Sequence, residues 1–261
     1  MRADLYLFNY KYAKSRQAAK VLIESGNVKI DDKIITKPAF DIDETLEHSV
    51  EIINKQRFVS RGGEKLDFAL DSFKINVENK ICIDVGASTG GFTDCLLQRG
   101  ANHVYAVDSG HSQLDLALEE DERVTSIEKY NARFIEPSDF PCVFDIAVMD
   151  VSFISQTFIH KGINSILIDG GVLISLIKPQ FECGKGALNS HGIVKNNSYY
   201  VQAINKVIDN ALICGFSCID LVRSPILGGT GNTEFLICLE KSVTPKNLIT
   251  QSKIEQIAKT K

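Results

Sequence analysis

Apolar and polar positions alternate with two different periods along this chain and divide it into two regions. In residues 1–57, apolar residues at every second position predict short strands at 28–30 and 50–53, and an apolar stripe at helical spacing follows Ser15. From residue 65 to residue 241, apolar runs of strand length alternate with stretches of helical periodicity. Strands separated by helices indicate a mostly parallel, doubly wound sheet with helices on both faces.

The second region carries enough strand patterns for one open sheet. Strands are predicted at 81–85, 103–107, 124–127, 144–149, 171–177, 218–223 and 234–239. Helices are predicted at 91–98, 113–118, 155–159 and 199–214. We therefore expect an α/β fold, a Rossmann-like seven-stranded sheet preceded by a small α+β domain. Residues 58–64 are predicted to form an interdomain linker. The polar residues 242–261 are predicted to form a tail that is either a flexible end or an extra RNA contact.

Composition excludes several classes of protein. The net charge is -4, so any contact with nucleic acid must use a local basic surface. The 7 cysteines are scattered without a Cys-x-x-Cys pair, which is typical of reduced cytoplasmic thiols and argues against a zinc site. No signal peptide is predicted at Met1, and polar residues and glycines interrupt the longest apolar region, 163–177. We expect a cytoplasmic protein without a membrane span or a metal site.

The segment 84–94, Asp-Val-Gly-Ala-Ser-Thr-Gly-Gly-Phe-Thr-Asp, follows one predicted strand and precedes a helix. Glycines at such a turn let the backbone approach a ligand and leave amide N–H groups free to bind it. A carboxylate about 20 residues later is the usual acceptor for the hydroxyl groups of a cofactor ribose. Asp108 ends the next predicted strand. The pattern therefore predicts an enzyme that binds a nucleoside-containing cofactor.

Polar residues also stand at the ends of other strands, at the edge where such sheets bind ligands. Asp150 and Lys178 follow predicted strands, and Glu234 begins the last one. Asn131 follows the third strand, where it is in reach of the base of the cofactor. Each of them alone is equally consistent with an ordinary surface residue, but their shared position indicates one site.

The first region is locally basic, with five basic residues and one acidic residue in positions 1–20. A basic surface beside the N-terminus of a helix suits phosphate binding, although a solvated helix face explains the charges equally well. The segments 2–7, 15–19 and 23–28 resemble the alpha-L RNA-binding module in order and spacing, with Asp31-Asp32 at the usual Asn-Gly turn. The candidate RNA contacts are Arg2, Lys11, Lys14, Ser15, Arg16, Lys20, Arg57 and Arg61.

Five further stretches resemble the TlyA family of ribosomal RNA 2′-O-methyltransferases, whose catalytic domain is similar to FtsJ-type enzymes. They are 59–66, 84–94, 150–155, 178–182 and 231–235, in the order of the family. The most specific is Lys-Pro-Gln-Phe-Glu at 178–182. The chain departs from the family at Gly-His-Ser-Gln-Leu, 110–114, and at Glu119, where arginine is common.

The resemblance implies that S-adenosylmethionine is the cofactor and that the product is 2′-O-methylcytidine in ribosomal RNA. The implied catalytic tetrad falls on Lys65, Asp150, Lys178 and Glu234. The implied cofactor contacts are Asp84, Gly86, Ser88, Thr89, Gly90, Gly91, Phe92, Asp108, Asn131 and Asp150. Because the chain begins almost directly at the RNA-binding module, we expect large-subunit RNA as substrate, with small-subunit RNA left open.

In-line attack on a cationic methyl donor needs only an oriented hydroxyl and a group that removes its proton. Lys178 is the candidate for this role, Lys65 would supply a second positive charge, and the two carboxylates would hold both ammonium groups. Which lysine takes the proton stays open, as does the oligomeric state.

Three other functions remain as alternatives. They are methylation of a small molecule or a protein, a non-catalytic RNA-binding role in ribosome assembly, and membrane lysis, because the family has carried the label haemolysin. The basic N-terminal module argues against the first and the complete tetrad against the second. The third lacks an export signal and a strongly amphipathic basic helix.

Overall fold

The computed structural model describes residues 1–13, 15–53 and 57–259. The chain forms two compact units, Met1–Arg57 and Phe58–Lys261. The first unit contains helices α1 (Ala3–Asn9) and α2 (Arg16–Glu24) and a three-stranded antiparallel sheet. Its strands are β1 (Val28–Ile30), β2 (Lys33–Ile35) and β3 (Val50–Ile52), in the order β2-β1-β3.

Local sequence explains this first unit well. The Ser15 hydroxyl accepts a hydrogen bond from the backbone N–H of Ala18 at 3.1 Å, which caps α2 as its position predicts. The buried side chains of Ala19 and Ile23 then face the sheet. The turn between β1 and β2 places Asp31 and Asp32 at φ 46° and 65°, in the left-handed region that aspartate tolerates in tight hairpins.

The second unit is built on a seven-stranded sheet of order β6-β5-β4-β7-β8-β10-β9, in which β10 alone among the described strands runs antiparallel to its neighbours. The strands are β4 (Ile81–Val85), β5 (His103–Val107), β6 (Val124–Ile127), β7 (Phe144–Met149), β8 (Leu167–Ile177), β9 (Phe216–Arg223) and β10 (Phe235–Lys241). The helices are α3 (Gly62–Phe73), α4 (Gly91–Gln98), α5 (Leu116–Glu119), α6 (His160–Ile166), α7 (Pro179–Glu182), α8 (Asn197–Ile213) and α9 (Gln251–Lys259). The predicted α/β fold is confirmed.

Alternate residues of the central strands serve two apolar cores, one on each face of the sheet. Ile83 and Val85 of β4 pack into one cluster, whereas Cys82 packs into the other. Because β4 pairs in parallel with both β5 and β7, the carboxyl ends of these three strands lie side by side at one edge of the sheet. The residues that follow these strands are therefore brought close together.

The segment predicted as a linker, 58–64, has a different place in the structure. Phe58 is buried in the second unit, and the backbone N–H of Val59 donates to the Asp94 carboxylate at 2.8 Å. Helix α3 begins at Gly62, inside this segment. Residues 58–64 are therefore part of the second unit, and the linker prediction is corrected. The sequence did not indicate this because the contacts that fix these residues are tertiary and leave no periodic pattern.

The predicted flexible tail is also corrected. The backbone around Asn247 pairs with Cys218, so it covers the outer edge of β9. Helix α9 then buries Ile254 and Ala258 in the main core. A third difference is the predicted helix 155–159, which is a short 3₁₀ turn, Gln156–Phe158, followed by α6.

Candidate active site

Two adjoining cavities open at the carboxyl edge of the sheet, with volumes of about 280 and 350 Å³. Gly86, Ser88, Asp150 and Ser152 line both of them. Such a crevice at the ends of parallel strands is where doubly wound sheets bind their ligands. The smaller cavity is lined by Lys65 and Lys178, and the larger by Asp108 and Asn131, so each holds a different part of the predicted site.

The glycine turn after β4 has a backbone that only certain residues adopt. Gly86 and Gly90 have φ of 87° and 92°, in the region that favours glycine. A Cβ atom at Gly86 would lie 2.7 Å from the backbone oxygen of Asp150. The glycine therefore lets the ends of β4 and β7 meet, and it leaves an open cradle above them. Gly90, at the N-cap of α4, packs against Leu118 in the same close manner.

Asp84 lies beneath this turn and is fully buried. Its Oδ2 accepts a hydrogen bond from the Thr93 hydroxyl at 2.7 Å, while Oδ1 has no hydrogen-bond donor among the described residues. Burial raises the pKa of Asp84 to about 7, and the Thr93 hydrogen bond opposes the rise. An unpaired buried carboxylate oxygen under a glycine cradle fits a cofactor that carries positive charge.

Asp108, the predicted ribose acceptor, braces the glycine turn. Its Oδ2 accepts from the backbone N–H of Ser88 at 2.9 Å and its Oδ1 from that of Gly110 at 2.6 Å. Each carboxylate oxygen can accept a second hydrogen bond, so hydroxyl groups in the cavity still find an acceptor. Asn131 Oδ1 caps the next 3₁₀ turn through the N–H of Arg133 at 3.1 Å. Thr89 and Phe92 line the smaller cavity, together with Gly91.

The four residues of the predicted tetrad form two ion pairs. Lys65 Nζ lies 2.6 Å from Glu234 Oε2, and both residues are buried. Lys178 Nζ lies 2.6 Å from Asp150 Oδ1 and donates a hydrogen bond to the Ser152 hydroxyl at 2.8 Å. Asp150 Oδ1 makes the ion pair without hydrogen-bond geometry to any described residue. Each of the two ammonium groups is fixed by a carboxylate at the smaller cavity. Charges held in place in this way can orient a polar group of a substrate.

Close backbone packing at the start of α3 places Lys65. A Cβ atom at Gly63 would clash with the Phe58 ring, and one at Gly91 would clash with the Ser60 hydroxyl. The N-termini of α3 and α4 can therefore lie against each other. Ser60, Arg61 and Gly62 consequently form one wall of the smaller cavity, although the sequence analysis assigned them to a linker.

Glu182, the last residue of the 178–182 stretch, is a residue that the sequence analysis left without a role. Its buried carboxylate accepts hydrogen bonds from the Ser155 hydroxyl and from the backbone N–H of Gln156 at 2.9 Å, and it pairs with Lys206 at 3.1 Å. These contacts join the loop after β7 to the segment after β8. Asp150 and Lys178 stand at the beginning of those two segments, so Glu182 supports both. The motif at 178–182 indicated that Glu182 is important. Its role could not be predicted, because the residues that it contacts are distant in sequence.

Asn232 is a second such residue. Its fully buried side chain accepts from the N–H of Val194 at 3.0 Å and donates to the oxygen of Gly192 at 3.0 Å. It thereby ties the loop 228–232 to a neighbouring hairpin. Gly228 lies so close to Glu234 Oε1 that a side chain there would displace the carboxylate. The loop therefore fixes Glu234, and through it Lys65.

The predicted RNA contacts separate into structural and exposed residues. Arg2 and Arg16 both donate to the buried Asp4 carboxylate at 2.9 Å, so they also hold the fold of the first unit. Lys11 and Lys20 are exposed, and Lys20 lies 3.8 Å from Glu24. Lys14 lies outside the described residues. Arg57 is exposed, and Arg61 lines the smaller cavity.

Two histidines of the second unit have side-chain partners outside the candidate site. His160 is fully buried between Asn210 and Gln156, and burial lowers its pKa to about 4, so it is neutral. His111 is exposed and contacts the Glu128 carboxylate. Neither histidine lines the two cavities.

Comparison with known proteins identifies the architecture. Residues 58–241 match the model of the FtsJ-like methyltransferases, and residues 1–47 match the S4 domain. The chain belongs to the FtsJ-like methyltransferase family. This membership confirms the resemblance seen in the motifs and makes the protein a methyltransferase with an S4 domain at its N-terminus.

Two curated relatives are similar over most of their lengths. Hemolysin A of Brachyspira hyodysenteriae is 42% identical over 237 residues, which cover 90% of this chain and 98% of the relative. The 16S/23S rRNA (cytidine-2′-O)-methyltransferase TlyA of Mycobacterium tuberculosis is 37% identical over 238 residues, covering 91% and 89%. Members of one group of similar proteins thus carry two different functional names.

Solved structures agree with the fold. A Streptococcus thermophilus protein proposed to be a hemolysin is 42% identical, covers 99% of this chain and 94% of its own, and has a TM-score of 0.79. A Listeria monocytogenes protein proposed to be an S-adenosylmethionine-dependent methyltransferase has 16% identity, coverages of 70% and 100%, and a TM-score of 0.52, so it shows the fold alone. The fold of the second unit is thus shared with S-adenosylmethionine-dependent methyltransferases.

Proposed function

We propose that this protein transfers a methyl group from S-adenosylmethionine to the ribose 2′-hydroxyl of a cytidine in ribosomal RNA. The observation that carries the proposal is the pair of lysine–carboxylate contacts, Lys65–Glu234 and Lys178–Asp150, at a cavity that adjoins a nucleoside-sized one. The S4 domain at residues 1–47 and the name of the Mycobacterium tuberculosis relative support RNA of the ribosome as the substrate. The protein would act in the cytoplasm on ribosomal subunits, and its target would lie in the RNA of the large subunit, the small subunit or both.

The residues of the larger cavity fit the cofactor. Asp108 and Asn131 would hold its ribose and base, while the cradle at Gly86 would accept its methionine end, with the buried Asp84 supporting that cradle from beneath. When bound, S-adenosylmethionine supplies an electrophilic methyl group on a cationic sulfur. Ser88, Thr89, Gly91 and Phe92 line the site from the turn into α4. Gly90 lines neither cavity and shapes the turn at the N-cap of α4.

The protein's own task is to place one hydroxyl and to remove one proton. Lys178, fixed by Asp150 and Ser152, would orient the 2′-hydroxyl at the shared wall of the two cavities. As the oxygen–methyl bond forms, the Lys178–Asp150 pair would take up the hydroxyl proton and pass it to solvent. Lys65, held by Glu234, would stabilise negative charge that develops on the oxygen.

The RNA would be positioned by the first unit and by residues at the mouth of the site. Lys11, Lys20 and Arg61 are the exposed described candidates for phosphate contacts. Phe153 is 92% exposed and held at φ 64°, beside the shared wall of the cavities. A bulky residue held in the left-handed region at a site indicates a functional role. Phe153 is placed to stack on a base that has left its helix.

Nucleoside analysis of ribosomal RNA tests the proposal in the cell. A strain that lacks the gene should lose 2′-O-methylcytidine from at least one subunit, and the wild-type gene should restore it. A strain whose cytidine modifications are unchanged would contradict the proposal. Restoration by a Lys178→Ala gene would contradict the role of that lysine.

Membrane lysis is the second candidate, because relatives carry the name hemolysin. Among the described helices, none is both long and apolar enough to cross a bilayer. Dye release from phospholipid vesicles by the purified protein would favour this function. The methyltransferase proposal predicts no release above that of a Lys178→Ala control.

A further inference from the structure

A shallow groove of about 650 Å³ lies next to the larger cavity and shares Phe153 and Ile154 with it. None of the tetrad residues lines this groove, so the chemistry proposed above makes no use of it. Its remaining walls come from the 3₁₀ turns after β6 and β7, the segment after β8, and helix α8. They include Arg133, Phe158, Phe181 and Lys206.

The groove exposes aromatic rings that a folded core would ordinarily bury. Phe158 is 58% exposed, and the Phe153 and Phe181 rings lie 5.3 Å apart at an angle of 50°. Clustered exposed apolar side chains mark a binding surface. Aromatic faces beside a positive charge are the surface on which unpaired bases stack.

Two cations accompany these rings. The Arg133 guanidinium lies over the Phe158 ring at 5.0 Å, and no carboxylate pairs with it in the part of the chain that the structure describes. The Lys206 ammonium is partly exposed and lies 3.1 Å from Glu182, at the foot of the groove. The backbone N–H of Arg133 donates to Asn131 Oδ1 at 3.1 Å, which fixes the main chain that carries this side chain.

One buried acceptor in the groove also lacks a partner. Gln180 Oε1 has no hydrogen-bond donor among the described residues. An unpaired buried carbonyl costs free energy, and a ligand that brings an N–H group recovers it.

We propose that this groove binds the unpaired nucleotide next to the methylated one. The base would stack on Phe158 and Arg133, and the phosphate would lie near Lys206. The inference rests on the proposed function and extends it: the enzyme would recognise at least two unstacked nucleotides, the target and a neighbour. Phe153, which is proposed to stack on the target base, also lines the groove, so a strand that places its target at Phe153 can lay the neighbouring nucleotide in the groove.

Steady-state kinetics with unmethylated ribosomal subunits test the groove. Phe158→Leu should raise the KM for the subunits at least about five-fold, because stacking on a base is lost. The dissociation constant for S-adenosylmethionine, measured by calorimetry, should stay unchanged. Phe158→Tyr, which keeps the aromatic face, should retain the wild-type KM. Phe134→Leu is the matched control, because Phe134 is 71% exposed and does not line the groove.

The outcomes separate this inference from the proposed function. Wild-type protein that methylates neither subunit would contradict the proposed function, and the groove proposal would fall with it. Active wild-type protein together with a folded Phe158→Leu variant of unchanged KM would overturn the groove alone. If Phe158→Leu does not fold, Arg133→Gln decides: a raised KM supports the groove, and a KM within two-fold of wild type rejects it.

Discussion

At the scale of residues, the four charged side chains of the predicted tetrad are withdrawn from water as two lysine–carboxylate pairs. Lys65 and Glu234 are 169 positions apart, yet their charged atoms meet at 2.6 Å. The motifs identified all four tetrad residues, but their pairing could not be predicted, since spacing along the chain says nothing about contacts across a sheet. Leaving one partner of a buried pair alone is costly, so each carboxylate keeps its lysine in place.

Replacing Lys178 by alanine tests its place in the reaction. We expect Lys178→Ala to lower the rate of methyl transfer by about 10² to 10⁴-fold, the range for loss of a proton-transfer group. Cofactor affinity should change little, because Asp108 and the glycine turn remain. Lys80→Ala is the matched control, since Lys80 also pairs with a carboxylate, Asp145 at 3.2 Å, and lines neither cavity. Near-normal turnover by Lys178→Ala would reject the assignment.

Asp84 predicts a pH dependence of stability. Burial raises its pKa from 3.8 to about 7, so between these values the folded protein holds a proton that the unfolded chain has lost. Stability from this group therefore falls as pH rises from about 4 to about 7, and the loss is complete above that range. Asp84→Asn cannot ionise, and its unfolding free energy relative to wild type should increase through this window. A difference that is constant between pH 4 and pH 8 would contradict the buried proton.

At the scale of elements, apolar periodicity predicted the sheet much better than its surroundings. Strands such as 81–85 and 144–149 have the expected bounds because both of their faces are buried. Helices α3 and α9 were both absent from the predicted elements. Residues 58–64 are held by contacts to Asp94 and α4, while α9 has mostly polar residues and only a narrow apolar stripe. Their structure depends on tertiary partners that a local pattern does not contain.

Helix α9 is expected to stabilise the sheet by covering β9. Ile254 is 2% exposed in the main core, so Ile254→Ala should lower the unfolding free energy by about 2 to 4 kcal/mol. Urea unfolding measures this loss. Ile213→Ala, at a position that is 83% exposed, is the control and should change stability by less than about 0.5 kcal/mol. If the two substitutions change the unfolding free energy equally, Ile254 of α9 does not contribute to the apolar core.

Asp4 joins α1 and α2 in the first unit. Hydrogen bonds from Arg2 and Arg16 lower its pKa to about 2. Its contribution is therefore present above about pH 4 and is lost as pH falls through 2. Asp4→Asn should raise amide exchange rates in both helices at pH 7, whereas Asp41→Asn, at a side chain that is 91% exposed, should not. If the amide exchange rates of Asp4→Asn equal those of wild type, Arg2 and Arg16 have no structural role and remain only candidate RNA contacts.

At the scale of the whole molecule, two units divide the work. The first matches the S4 domain and carries exposed basic residues such as Lys11 and Lys20, while the second contains both cavities and the Lys65–Glu234 and Lys178–Asp150 pairs. The net charge of -4 gives no general attraction to RNA, so recognition must come from these local surfaces. The two domain families were predictable from the motifs, whereas the groove beside Phe158 required the structure.

Transfer of tritium from labelled S-adenosylmethionine to purified ribosomal subunits is the most direct test of the central claim. The subunits should come from a strain that lacks this gene, and the RNA should be digested to nucleosides after reaction with wild-type or Lys178→Ala protein. The account predicts label in 2′-O-methylcytidine with wild-type protein and almost none with the variant. Label on a base, or no label on either subunit while the protein binds the cofactor, would contradict it.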